Sequence, residues 1–178
     1  MQRILIGIVE YALGFLALAL FGAYALASGT PTPQRWIAAF KIASCVAIAE
    51  LVVLAARRSP ANRLIIGANL WLLIGGTAAF LEQWWVLQAY ERFGEASLFV
   101  AILLVGLFTT LVSRAGFVAA EGERQRVLLA SGAMLLAVIG ALVVAVVYRG
   151  NIKLAAVFPV IGLSWLNRAL RAVVSRVV

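Results

Sequence analysis

The chain has no histidine, no aspartate and a single cysteine. Each absence removes chemistry. Without histidine there is no histidine-ligated haem, no zinc site built on imidazole and no Ser-His-Asp hydrolysis. Without aspartate, metal-dependent phosphoryl transfer loses its usual magnesium ligands. Cys45 has no partner for a disulfide within the chain. It lies inside an apolar run and reads as a small packing residue. No cofactor is expected, and the chain is not expected to be an enzyme. Charge is scarce as well: 12% of residues, with seven glutamates as the only acids.

What is present is apolar. Of 178 residues, 65% are hydrophobic, and the mean hydropathy is +1.06. A soluble domain is about half apolar and about a quarter charged. The composition is that of an integral membrane protein, with residues 1–178 forming one helical domain whose apolar surface faces the lipid bilayer. The net charge of +8 comes from basic residues clustered between apolar runs. That pattern sets orientation in a membrane and does not point to nucleic acid.

A helix needs roughly 20 apolar residues to cross the hydrocarbon core. The sequence predicts an all-α bundle of six transmembrane helices over Ile4–Ser28, Trp36–Ala56, Leu64–Leu81, Ser97–Ser113, Val127–Tyr148 and Ile152–Leu166. The last is short and contains Pro159 and Gly162, so it is expected to be kinked, tilted or partly inserted. Most links are tight turns, and successive helices should be antiparallel neighbours. "EQWWVLQAYERFGEA" and "RAGFVAAEGERQR" are longer. Ala25-Leu26-Ala27 resembles a signal-peptidase site. The preceding run, however, exceeds the roughly 7–15 residues of a signal peptide and contains Glu10, so an uncleaved span is expected.

Orientation follows from counting Lys and Arg. With the N-terminus inside, inner segments carry ten, among them Arg57 and Arg58, and outer segments four. This favours both termini in the cytoplasm, with the bacterial inner membrane as the expected location.

Glu50 stands in "KIASCVAIAELVVLAARRSP", seven residues before Arg57. At about 1.5 Å per residue it lies roughly 10 Å inside the cytoplasmic edge. Glu10 is seven residues from Arg3, Asn69 six from Arg63, Thr109 five from Arg114, Ser131 five from Arg126 and Ser164 four from Arg168. Each span therefore brings a polar group to a similar depth. Ala39, Ala43 and Ala47 lead to Glu50 along one helix side, where small residues let another helix approach. Gly7, Gly14 and Ala17 share the side of Glu10. The expectation is a shared site of Glu10 and Glu50 holding a proton or a cation, with Asn69, Thr109 and Ser131 around it. The competing reading gives the hydroxyls to carbonyls one turn back and the acids to helix bridging.

Elsewhere, Lys41 lies six residues inside the outer edge and either snorkels outward or meets Glu82. Trp84 and Trp85 belong to an aromatic belt at the outer interface. The tail "SWLNRALRAVVSRVV" is a basic amphipathic end suited to anionic lipid. Two functions fit these features. One is a small channel or transporter for protons, a cation or a small polar solute. The other is a non-transporting accessory protein, such as a complex subunit or a toxin-protective protein, whose acids and small residues pack against helices of a membrane protein partner.

Overall fold

A computed structural model describes residues 15–26, 32–56 and 61–175. The described residues are helical, without strands. The helices are α1 (Leu16–Leu26), α2 (Pro33–Ala56), α3 (Arg63–Phe80), α4 (Trp84–Phe93), α5 (Ala96–Val112), α6 (Arg124–Val147) and α7 (Phe158–Ser175), with a π-helical turn, Lys153–Val157, leading into α7. Four helical segments are long and apolar enough to cross a membrane: α2, α3, α6 and the Lys153–Ser175 segment. The pair α4 and α5 makes a fifth if taken as one broken span.

Local chemistry explains several boundaries. Thr32 precedes Pro33 and accepts the Trp36 N–H through its carbonyl at 3.0 Å, so proline opens α2 where an amide hydrogen is not needed. Asn62 caps α3, its Oδ1 accepting from Leu64 N at 3.1 Å. Gly94, with φ of +56°, separates α4 from α5 in a conformation that favours glycine.

Two compact units result. The first takes the described part of Met1–Arg57 with Ala68–Tyr90; the second takes the described parts of Arg58–Gly67 and Glu91–Val178. In the first unit α1 packs on α2, and Ala39, Ala43 and Ala47 are fully buried. Phe21 and Trp71 each meet Phe40, at 4.6 and 5.2 Å between ring centroids. Tyr90 lies 5.6 Å from Trp71 and donates its hydroxyl to the Trp71 carbonyl at 3.0 Å.

In the second unit α5 packs on α6 and α6 on α7. The connection after α5 is the unexpected part. It was expected as a link, yet Phe117, Val118, Ala119 and Ala120 are all buried. Ser131 Oγ accepts the Phe117 N–H at 3.0 Å. The Arg124 guanidinium donates to the carbonyls of Thr110, Ser113 and Arg114, which closes the open end of α5. Ser131→Ala should leave the Phe117 amide unpaired and lower stability by about 1–3 kcal/mol. Thermal unfolding in detergent measures this, and an unchanged midpoint would contradict it.

One further expectation is corrected. "EQWWVLQAYERFGEA" is not a plain link, because its centre forms α4. The last helical segment runs from Lys153 to Ser175, so the short Pro-containing stretch and the basic amphipathic end are continuous. Pro159 sits where the π turn gives way to α-helix, and a residue lacking an N–H costs least where the ladder is already interrupted.

Candidate functional site

Three helices of the first unit meet at Glu50. Its Oε1 accepts from the backbone N–H of Ala17 at 2.9 Å. Its Oε2 accepts from Asn69 Nδ2 at 2.7 Å. Ala17 stands in the first turn of α1, whose leading N–H groups have no carbonyl of their own turn to reach. The carboxyl group therefore caps α1 from α2, and its second oxygen ties α2 to α3. Ala17 and Asn69 are buried, at 0% and 1% exposure, so each donor depends on this partner. Near the other end of α2, Gly76 of α3 lies against Ser44 and the Phe40 carbonyl, and Gly75 against the Phe40 ring.

The arrangement limits the chemistry. Both carboxyl oxygens face N–H donors, so the electrostatic field at Glu50 is positive. A metal cation or ammonium group needs the opposite surroundings, a shell of oxygens. Among the described residues no group of three or more acidic, cysteine or histidine side chains could hold a metal ion.

Of the residues singled out from sequence, Glu50 and Asn69 are brought together. Glu10 lies outside the described residues, as do Arg57 and Arg58. Thr109 belongs to the second unit and donates to the carbonyls of Val105 and Gly106, at 2.7 and 3.2 Å, the back-bonding alternative. Ser131, also in the second unit, is fully buried and committed to the Phe117 amide. Lys41 places its Nζ 5.3 Å from the centroid of the Phe80 ring, a cation–π contact that neither alternative, outward snorkelling or a meeting with Glu82, included. Glu82 itself is in the turn after α3, with φ of +53°. Trp84 and Trp85 are exposed on α4, and Trp85 Nε1 donates to Gln83 Oε1 at 3.1 Å.

Comparisons with known proteins add no relative. No family model matches the chain, no curated protein matches its sequence and no solved structure matches its fold.

The residue that sequence reasoning missed is Ala17 as a donor. Its contribution comes from the backbone, which side-chain inventories do not register. No side-chain pattern signalled it, because the span was expected to run from Ile4 and Ala17 to lie inside it.

Proposed function

We propose that the protein is a non-transporting membrane protein that works through contact with a partner's transmembrane helix, and that Glu50 is a fixed helix-joining group. The observation that carries this reading is the pair of N–H donors on the two Glu50 oxygens. A cation site surrounds its carboxylate with further oxygens; here each Glu50 oxygen accepts an N–H from its own helices. Thr109 and Ser131 are likewise engaged by the protein itself.

The partner side of the reading draws on α6. A Cβ at Gly132 or Gly140 would meet nothing within 4 Å, and Leu129 and Leu136 are exposed beside them. Small residues on an outward face let a second helix come close, which in lipid supplies packing that lipid tails do not. Photocrosslinkers placed at Leu129 and Leu136 in native membranes are expected to trap a membrane protein. Recovery of lipid adducts alone from both positions would refute the partner reading. Calorimetric titration of the purified protein with sodium, potassium or ammonium is expected to show no saturable binding, and binding abolished by Glu50→Gln would refute the fixed role of Glu50.

The same proposal places six spans in the bacterial inner membrane with both termini in the cytoplasm. The ten-to-four distribution of Lys and Arg supports this orientation. A reporter fused after Val178 should read cytoplasmic and one inserted at Gly94 external. An external reading after Val178 would overturn the orientation.

A further inference from the structure

Asn62 and Asn167 make a hydrogen bond that leaves one atom over. Asn62 Oδ1 already accepts from Leu64 N at 3.1 Å, so the orientation of its amide is fixed. Asn167 must then donate, and its Nδ2 reaches Asn62 Oδ1 at 3.2 Å. The other end of the Asn167 amide, Oδ1, is buried without a partner among the described residues, although the residue is only 3% exposed. Ser164, one turn earlier on the same side of α7 and 5% exposed, has a buried Oγ that is also unpartnered. Arg63, next to Asn62 and first in α3, has a buried and unpartnered Nε. Arg171, one turn beyond Asn167, is half-buried. Buried polar atoms are nearly always satisfied, so atoms left over on residues adjoining one interhelical hydrogen bond point to a ligand.

The left-over groups define that ligand. Two guanidinium groups and the start of a helix call for negative charge. The Asn167 Oδ1 calls for a hydrogen-bond donor, so a bare anion leaves it facing another acceptor. A cation would face both arginines. A group with an anionic phosphate and its own hydroxyls meets each demand: oxygens to Arg63 and Arg171, a hydroxyl to Asn167, and Ser164 able to donate or accept. The residues stand near the basic ends of two membrane-length helices, where lipid headgroups lie. We propose that Asn62, Arg63, Ser164, Asn167 and Arg171 form a binding site for the phosphoglycerol headgroup of an anionic phospholipid. This site is independent of the role assigned to Glu50.

Native mass spectrometry of the intact protein, titrated with phosphatidylglycerol, phosphatidic acid and phosphatidylcholine, tests the proposal. Phosphatidylglycerol is expected to bind about tenfold more tightly than phosphatidylcholine. Arg63→Gln and Arg171→Gln should each weaken it about fivefold, the loss of one charge-assisted contact. Ser164→Ala and Asn167→Leu should narrow its advantage over phosphatidic acid, which lacks the headgroup hydroxyls. Should Asn167→Leu not fold, the two arginine variants and Ser164→Ala carry the test. Equal retention of phosphatidylglycerol and phosphatidylcholine, or arginine variants with an unchanged preference, would overturn the site. Free glycerophosphoglycerol binding as tightly as the lipid would overturn the lipid assignment in favour of a soluble phosphate ester.

Discussion

Glu50→Ala is expected to destabilise the protein by on the order of 2–3 kcal/mol. The reason lies in what remains. Truncation strands the Ala17 N–H and the Asn69 amide, both buried, and removes the side chain that hydrogen-bonds α2 to α1 and to α3. The unfolded reference in a membrane finds other partners for such groups, which keeps the figure below the cost of two fully orphaned donors. Glu50→Gln should be far milder, under about 1 kcal/mol, because one hydrogen-bond network can be rebuilt. The glutamine Oε1 still accepts from Ala17. Its NH2 then faces Asn69, which turns its own amide over and presents Oδ1. Asn69→Leu should fall between the two, since Glu50 keeps its contact with Ala17. Denaturant unfolding in detergent micelles ranks the three variants. A glutamine variant as unstable as the alanine variant would show that the node depends on the carboxyl group beyond its hydrogen bonds.

The second large effect is expected at Gly76. A Cβ there would fall on the Ser44 side chain and 3.0 Å from the Phe40 carbonyl. Side-chain motion can relieve the first contact, but the second is to backbone, so α2 and α3 must separate. Interiors pack without room for even one added methyl group, and overpacking costs about 1–3 kcal/mol, more when a helix must move. Gly76→Ala should therefore cost roughly 2 kcal/mol and Gly76→Val more. The aromatic cluster around Phe40 reports the same event, because Trp71 stands 5.2 Å from that ring. Tryptophan fluorescence should shift in the variants. A Gly76→Val protein with unchanged stability and emission would mean that α2 and α3 are not in close contact at this level.

Much of this architecture was legible in the sequence, and for identifiable reasons. The helical class follows from apolar runs near membrane length. The Glu50–Asn69 contact was foreshadowed by depth, since a fixed rise per residue puts both at similar distances from the basic edge. Depth does not give direction, however. Thr109 was expected at that depth from its spacing to Arg114, but it turns its hydroxyl to its own helix, which is always within reach of a threonine. Ser131 lies in α6, a helix long and apolar enough to cross a membrane, while its partner, the Phe117 amide, lies in a segment read as a link. That segment carries Phe117, Val118 and Ala120 between basic residues, and the flanking charge disguised an apolar core. Pro159 and Gly162 suggested a kinked, tilted or partly inserted last span. Proline, however, disrupts a helix through a lost N–H bond, and at the π-to-α junction that loss is small. Lys41 was expected to snorkel outward or meet Glu82; its ammonium lies over the Phe80 ring, two residues before the acid.

Proton and monovalent-cation flux through liposomes carrying the purified protein tests the central claim most directly. The account predicts flux no greater than in protein-free vesicles, for wild type and Glu50→Gln alike, across imposed pH and potassium gradients. Flux in the wild type that disappears in a folded Glu50→Gln protein would show that Glu50 serves conduction, and would contradict a carboxyl group fixed between three helices.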